Sequence, residues 1–312
     1  MPDIGETTGQ PGLQLLPCNP VRIPRVFDDP DAVMARFRDL APVPSIAAFL
    51  GIGNSSSLSA WFRCDLSEDL FFNNPVFMDA ARKAFSASIV RPTRCRLNIY
   101  GPMPAATAPH LDAAAYRGMS VENAPIWLIY NMSASRLFEP WLAPVASGLA
   151  WFYQGKDGEF EYWPDGEYRV ERSPMWNSGL VCDNEYTWHR VGAVGSPEAQ
   201  RRLAGRLNSS DMMYATGDRE WEIRDGERVV ERLDANEVRI SVLWKADIFR
   251  DEDHLASFSD RSLDLDIGKV TEIYLEDLDA KGVSPKRPGD PLTDSAWRQL
   301  LEEAYPTPFS SS

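Results

Sequence analysis

The sequence predicts a mainly β protein with helices at both ends, and three observations support this fold class. Between Arg94 and Phe249, short runs of β-branched and aromatic residues alternate with turn residues at fairly regular spacing, as in a β-sandwich or barrel. The first ninety residues place apolar side chains at helical spacing, and the tail alternates helix-like and loop-like pieces. We therefore expect one catalytic domain, with an N-terminal helical layer over 1–93, a β core over 94–249 and a helical tail over 250–312.

The N-terminal layer begins with an arm, residues 1–20, which is rich in Gly, Pro and Thr and should be loose. A helix is expected over 31–40, because acidic residues and a proline stand at its start and prolines follow its end. A Gly/Ser-rich turn over 51–57 comes next. A second helix is expected over 76–85, since its apolar residues fall on one face that would pack against a sheet.

The β core should consist of short strands joined by tight turns. The turns at 156–158 and 224–226 both end in Asp-Gly, which favours hairpins. Ser196 opens a short helix that ends near Leu207, and another helix is expected in the tail over 294–303. The candidate strands are 94–100, 125–132, 135–142, 148–154, 159–163, 168–172, 179–183, 186–194, 220–224, 227–233 and 237–248.

Charge and composition argue against several classes of function. The chain has 32 basic and 46 acidic residues, a net charge of −14, and no basic run, so nucleic acid and anionic membranes are not expected partners. Its four cysteines are widely separated and form no zinc knuckle or disulfide framework, which fits a reduced, cytoplasmic setting. The polar N-terminus does not resemble a secretory signal, and no apolar run approaches the ~18 residues of a membrane-spanning helix.

The stretch from Arg96 to Tyr116 contains the strongest chemical signal. A β-like run ends at Gly101, and the loop that follows brings His110 and Asp112 two residues apart. On an extended segment, residues i and i+2 point to the same side. One imidazole and one carboxylate can therefore face a common point, as two of the three ligands of a 2-His-1-carboxylate site for non-haem Fe(II).

The third ligand has few candidates, because the chain has three histidines. His189 lies in an aromatic and β-branched run that indicates a strand or strand end. His254 lies in a charged stretch, 250–254, that is typical of a solvated surface. We therefore predict that His189 completes the site.

These residues resemble the motif of Fe(II)/2-oxoglutarate-dependent dioxygenases, which have a double-stranded β-helix, or jelly-roll, fold. That motif is His-x-Asp, a distal His several strands later, and an Arg followed two residues on by Ser or Thr. Here it corresponds to His110, Asp112, His189, and Arg239 with Ser241. The resemblance covers roughly residues 94–249 and implies Fe(II), O2 and the cosubstrate 2-oxoglutarate.

The position of the basic residue departs from the family pattern. The family places it about ten residues after the distal His, whereas Arg239 follows His189 by 50 residues (239 − 189). An insertion over roughly 196–235 would then precede the last barrel strand. Arg201 and Arg202 are the alternatives, but both fall on the helix expected after Pro197, where a barrel-lining position is hard to arrange.

The resemblance also implies roles for these side chains. The three ligands would leave metal positions for 2-oxoglutarate and oxygen, Arg239 would hold the far carboxylate bidentately, and Ser241 would donate a hydrogen bond to it. Asn98 and Tyr100 alternate on the preceding strand and would bind the cosubstrate. Related halogenases replace the carboxylate ligand by Gly or Ala, so the presence of Asp112 favours hydroxylation or desaturation.

The substrate is less well determined by the sequence. The chain carries 10 Trp, 10 Tyr and 14 Phe, which favours an apolar pocket and a small organic metabolite, with secondary metabolism as one setting and a free amino acid as a second candidate. The expected partners are this small molecule and, at most, a second copy of the chain in a homodimer. Two other classes remain: a zinc hydrolase using the same ligands, and a cupin-like metal- or small-molecule-binding protein without catalysis.

Overall fold

The computed structural model describes residues 16–49, 60–104 and 108–306. The turn expected over 51–57 and most of the N-terminal arm lie outside these residues. Contacts between Cα atoms divide the chain into two compact units. The first, which we call the β unit, comprises residues 18–112 and 145–250; the second, the helical unit, comprises chiefly 113–144 and 251–306. The prediction of one catalytic domain stays a prediction.

The β unit is built on a six-stranded antiparallel sheet, which we call the large sheet. Its order is β1-β8-β5-β13-β4-β3, so strands distant in sequence are neighbours. Helix α4 (Pro75–Phe85) lies against one face of this sheet and a cavity lies on the other, so the central strands β5 and β13 are buried on both faces. The strands are β1 (Val21–Ile23), β3 (Trp61–Asp65), β4 (Ile89–Tyr100), β5 (Val145–Tyr153), β8 (Met175–Cys182) and β13 (Arg239–Phe249).

A second, smaller sheet has the order β7-β6-β9 and is extended by two isolated bridges, Met103 to Val194 and His110 to His189. Its strands are β6 (Phe160–Trp163), β7 (Arg169–Glu171) and β9 (Trp188–Val191). From β4 onward the chain passes repeatedly between the two sheets and returns to the large sheet at β13. This connectivity is that of a jelly roll. The predicted fold class is therefore confirmed.

The N-terminal segment contains helices, as predicted, and also strands that the sequence analysis missed. The helices are α1 (Pro30–Asp39), α2 (Ile46–Phe49), α3 (Asp69–Phe72) and α4 (Pro75–Phe85). The Asn74 side chain caps α4 by accepting hydrogen bonds from the backbone of Val76 and Phe77. Phe77 stacks on Trp244 of β13 with ring centroids 5.4 Å apart, so α4 covers one face of the large sheet.

The residues between β9 and β13 form the insertion expected over 196–235. Ser196 caps α6 (Pro197–Leu203), as the sequence analysis predicted. The strands β10 (Met212–Ala215), β11 (Glu220–Asp225) and β12 (Arg228–Asp234) then form a sheet with β2 (Val43–Pro44), in the order β12-β11-β10-β2. This separate sheet explains how Arg239 can follow His189 by 50 residues and still open the next barrel strand.

The helical unit corrects two predictions. The strands expected over 125–132 and 135–142 are instead α5 (Ile126–Ser135) and a short 3-10 turn over Glu139–Trp141. The apolar run in this segment fits a strand as well as a helix, and the buried residues Leu128, Ile129 and Met132 follow helical spacing. The other helices of this unit are α7 (Glu252–Ser259), α8 (Ile267–Ala280) and α9 (Ser295–Ala304).

Within the part of the chain that the structure describes, no helix is long and apolar enough to cross a membrane. All four cysteines lie in this part, and all are free.

Candidate metal centre

His110, Asp112 and His189 meet at one point of the β unit. The backbones of His110 and His189 exchange two hydrogen bonds, of 2.9 and 3.0 Å, which place the loop after β4 beside β9. Asp112 is held by a third bond, from its N–H to the Asn184 carbonyl at 2.8 Å. One potential ligand atom from each of the three side chains lies within 4.8 Å of the others. The predicted constellation is therefore present in space.

Both imidazoles have one nitrogen occupied by the backbone. Nδ1 of His110 lies 2.9 Å from the Ala108 carbonyl, and Nδ1 of His189 lies 2.9 Å from the Thr187 carbonyl. Because a carbonyl oxygen only accepts, Nδ1 must carry the proton in each ring. The Nε2 lone pairs are left for a metal, in the arrangement usual for histidine ligands whose second nitrogen is hydrogen-bonded.

Asp112 is also oriented by a neighbour, a buried lysine that the sequence analysis did not single out. Lys245 Nζ lies 2.5 Å from Asp112 Oδ2 and 2.5 Å from Glu185 Oε1. The other oxygen, Asp112 Oδ1, lies 3.7 Å from His189 Nε2. The lysine thus holds one oxygen of the carboxylate and leaves the other facing the imidazoles.

The charges of this cluster favour metal binding. Burial would raise the pKa of Asp112, but the positive charge of Lys245 and the neighbouring histidines lower it well below its usual range. Burial lowers the pKa of His189 to about 4, although the charge of Asp112 acts in the opposite direction. The carboxylate is therefore ionised and the His189 ring neutral near pH 7, the protonation states that metal ligands require.

Arg239 is the first residue of β13 and is 1% exposed. Its Nε donates to the Gly158 carbonyl at 2.8 Å, and its guanidinium carbon lies 5.4 Å from the ring centre of Tyr100. Its two terminal nitrogens, Nη1 and Nη2, are buried without a hydrogen-bond partner among the described residues. A buried cation without a partner is costly, so these four N–H groups are suited to an anionic ligand.

The same cavity is lined by the metal cluster and by Arg239. The empty space between these residues is about 470 Å³, part of it open to solvent. Trp151 Nε1 is another buried donor without a partner among the described residues. The ring centres of Trp151 and Phe160, which belong to the two different sheets, lie 5.7 Å apart. The other lining residues are Trp61, Arg63, Asn98, Tyr100, Leu149, Asn184, Val191, Ser241 and Leu243.

Asn98 and Tyr100 line this cavity, as does Ser241. The oxygen Oδ1 of Asn98 is already occupied, because it accepts hydrogen bonds from Trp61 Nε1 at 3.1 Å and from Arg63 Nε at 2.7 Å. Asn98 therefore orients two neighbours, and only its amide nitrogen remains for a ligand.

The alternative residues lie elsewhere. Arg201 and Arg202 are exposed on α6, and Arg202 donates to Glu237 at 2.7 Å. His254 lies on α7. None of these three lines the cavity that contains His110, Asp112 and His189.

The sequence contained a signal for one missed residue but not for the others. Arg239, Ser241, Leu243 and Lys245 are spaced two apart on β13, so a strand prediction already places Lys245 on the same face. Trp61 and Arg63 had no such signal. They belong to β3, which pairs with β4 at the edge of the large sheet, and no strand was expected there.

The residues present fit Fe(II) and 2-oxoglutarate. Two imidazoles and one carboxylate are the ligand set of non-haem Fe(II) sites with open positions. The orphaned N–H groups of Arg239 offer a carboxylate a charged fork inside the same cavity.

Comparisons with known proteins found similar solved structures. No known family profile and no curated protein matches the sequence. A prolyl-4-hydroxylase from Pseudomonas putida is 12% identical over 74% of this chain and 92% of its own, with a TM-score of 0.37. An oxidoreductase of the 2OG-Fe(II) oxygenase family from Burkholderia pseudomallei is 12% identical over 74% of this chain and 86% of its own, with a TM-score of 0.41.

HygX from Streptomyces hygroscopicus, solved with nickel, 2-oxoglutarate and hygromycin B bound, is 9% identical over 74% of this chain and 83% of its own, with a TM-score of 0.37. At these identities and TM-scores, any conclusion about function depends on the geometry of this chain's own site.

Proposed function

We propose that this protein is an Fe(II)- and 2-oxoglutarate-dependent oxygenase. The observation that carries the proposal is the buried Arg239 guanidinium, which has two partnerless terminal nitrogens in the cavity that also holds His110, Asp112 and His189. Metal ligands alone are compatible with many reactions. A desolvated cation beside them selects a ligand that has a negative charge away from the metal, as the keto diacid 2-oxoglutarate has.

Each side chain has a separate role in this proposal. His110, Asp112 and His189 hold Fe(II), and Lys245 keeps Asp112 turned so that one oxygen faces the metal position. Arg239 grips the remote carboxylate of the cosubstrate, with Ser241 two residues along the strand as a further donor. Tyr100 and the amide nitrogen of Asn98 line the same space.

Fe(II) bound there would supply the redox chemistry that couples oxidative decarboxylation of 2-oxoglutarate, to succinate and CO2, to oxidation of a substrate C–H bond by O2. The aromatic side chains of Trp61, Trp151 and Phe160 line the cavity and reduce the access of water to the reacting groups. The reaction on the substrate is a hydroxylation or a desaturation of a small organic metabolite, in keeping with a cavity lined by apolar and aromatic side chains and a few polar groups.

The two other classes are less well supported. A zinc hydrolase needs a general base, but Asp112 is the one carboxylate among the described residues that line the cavity, and it is a proposed ligand. A non-catalytic cupin-like binding protein shares the ligands but would form no succinate.

The proposal is tested by anaerobic titration of the protein with Fe(II) and 2-oxoglutarate. We expect a visible metal-to-ligand charge-transfer band when both are present, and succinate formation once O2 is admitted. Arg239→Gln should raise the concentration of 2-oxoglutarate needed for the band by about 100-fold, because two charge-assisted hydrogen bonds are lost. Its affinity for Co(II) should stay near wild type, since the three ligands are unchanged.

Matched controls replace Arg201 and His254, the alternative candidates for Arg239 and His189. Arg201→Gln should leave the titration unchanged, because this side chain is exposed on α6. His189→Ala should abolish metal binding, whereas His254→Ala should not. An Arg201→Gln effect larger than that of Arg239→Gln, or a wild-type protein that binds Fe(II) but neither shows the band nor forms succinate, would contradict the proposed function.

A further inference from the structure

A second cation faces the cavity from the edge of the large sheet. In the antiparallel register, Arg63 of β3 lies opposite Asn98 of β4, which lies opposite Ser241 of β13. Directly opposed residues point to the same face of a sheet. Arg63 and its neighbour in space, Asn98, therefore share the face that carries Ser241, and all three line the cavity.

The Arg63 guanidinium is oriented on two sides. Its Nε donates to Asn98 Oδ1 at 2.7 Å, and its central carbon lies 4.5 Å from the ring centre of Trp61. Trp61 is fixed by its own hydrogen bond to the same Asn98 oxygen, at 3.1 Å. These contacts hold the guanidinium in place. Its terminal nitrogens have no hydrogen bond or ion pair within the described residues and remain available to a ligand.

Arg96, a nearby arginine on the same face of the large sheet, is paired with a carboxylate, unlike Arg63. Arg96 lies two residues before Asn98 on the same strand, and its Nε is paired with Asp65 at 3.1 Å. Asp112 is the carboxylate of the cavity wall, but its Oδ2 is engaged by Lys245. Arg63 is half-buried, and burial lowers its pKa more than the charges of Asp112 and Asp65 raise it. No carboxylate among the described residues forms an ion pair with its guanidinium.

The two guanidiniums of the cavity differ in depth. Arg239 is 1% exposed, whereas Arg63 is half-buried and accessible from solvent. In the proposed function the two carboxylates of 2-oxoglutarate are used by the metal and by Arg239. The more accessible guanidinium, that of Arg63, remains for the molecule that binds beside the cosubstrate.

We infer that Arg63 and Trp61 form an anchor for a carboxylate group of the substrate, so that the substrate is a small organic acid with an apolar or aromatic part. That the bound molecule is a substrate rests on the proposed function, whereas the existence of the anion-binding site does not. The planar fork of Arg63 matches a carboxylate bidentately, and the Trp61 and Phe160 rings flank the space beside it.

Phenylacetate and its neutral isostere phenylacetamide probe this site directly. Binding is measured by ligand-observed NMR to protein that holds Zn(II) and 2-oxoglutarate, since Zn(II) prevents turnover, and to metal-free protein. In wild type we expect phenylacetate to bind at least about 10-fold more tightly than phenylacetamide, the effect of a charge-assisted hydrogen-bonded pair. In Arg63→Gln the preference should fall below about twofold, and in Arg63→Lys an intermediate preference should remain.

Two controls distinguish a failure of this inference from a failure of the proposed function. Arg96→Gln removes the same charge from the same face of the large sheet and should keep the wild-type preference. Arg63→Gln should bind 2-oxoglutarate within about twofold of wild type, because Arg239 is intact. Equal binding of the two probes in wild type, an unchanged preference in Arg63→Gln, or displacement of 2-oxoglutarate by phenylacetate would overturn the inference. A wild-type protein without the Fe(II)/2-oxoglutarate band would instead overturn the proposed function.

Discussion

At the scale of single residues, the least expected feature is Lys245. A lysine that is 8% exposed between two carboxylates is an unusual neighbour for a proposed metal ligand. Burial lowers its pKa, but the charges of Asp112 and Glu185 outweigh burial and raise the pKa above its ordinary value. The ammonium group is therefore charged. It lowers the pKa of Asp112 below its ordinary value, whereas burial keeps the pKa of Glu185 above its own. The orientation of the proposed ligand Asp112 thus depends on a residue that is not itself a proposed ligand.

Lys245→Met should weaken metal binding and folding together. Without the ammonium group, Asp112 is a charge without its cation and the buried Glu185 carboxyl group loses its hydrogen-bond donor. Breaking such a buried pair costs about 3–5 kcal/mol. Loss of a partner of a metal ligand typically lowers affinity about 10- to 100-fold. Urea unfolding of the metal-free protein and titration with Co(II) measure the two effects.

The double variant Lys245→Met/Glu185→Gln distinguishes the two contributions. Replacing the Glu185 carboxyl group by a neutral amide should restore part of the free energy of unfolding, whereas Co(II) affinity should stay low, because Asp112 is still not held. If Lys245→Met bound Co(II) as tightly as wild type, Lys245 would have no role in orienting the ligand.

At the scale of elements, strand β13 connects the site to the core. One face of this strand carries Arg239, Ser241 and Lys245 toward the cavity, and the other carries Trp244 toward α4. Gly148 of β5 lies opposite Trp244, and a Cβ at this position would come within 2.9 Å of the Phe77 ring. The absence of a side chain at Gly148 lets α4 lie directly against the sheet.

Gly148→Val should therefore destabilise the protein while leaving the site intact. Overpacking of this kind costs about 1–3 kcal/mol, because Phe77 and Trp244 have to move. The affinities for Co(II) and 2-oxoglutarate should change little, since the cavity lies on the opposite face of the sheet. Urea unfolding and the same titrations check both statements.

Gly217→Ala is the matched control, because a Cβ there meets its nearest atom at 3.7 Å, an ordinary contact. It should leave stability within about 0.5 kcal/mol of wild type. A Gly148→Val protein with wild-type stability would show that α4 packs less tightly than described.

At the scale of the whole molecule, all residues that line the cavity belong to the β unit. Ligands that bind only the folded protein stabilise it by mass action. Zn(II) with 2-oxoglutarate, each at about 100 times its dissociation constant, should therefore raise the free energy of unfolding by about 3 kcal/mol per ligand. Chelation of the metal should reverse the increase.

Hydrogen exchange locates this stabilisation. Protection should rise in β4, β9 and β13, which carry or adjoin the ligating and anchoring residues. In Asp112→Ala the two ligands should produce no increment in unfolding free energy, whatever the stability of the unliganded variant. An increment of wild-type size in Asp112→Ala would place the metal elsewhere.

The sequence by itself determined the fold class and which side chains could form the site. Alternation on β13 and the i, i+2 spacing of His110 and Asp112 are local properties, which depend only on the geometry of an extended chain. The capped helices α1, α4, α6 and α9 were found for the same reason, because a cap and an apolar face are encoded within a few residues.

Only the tertiary structure decided which distant residues became neighbours. Strand order depends on packing across the whole unit, so the pairing of β3 with β4, and with it the position of Arg63, could not be read from local pattern. The same holds for the meeting of Lys245 with Asp112, 133 residues apart, and for α5, whose apolar run fits a strand or a helix until its burial is known. Local geometry specifies what a segment can present, and long-range contacts decide what it meets.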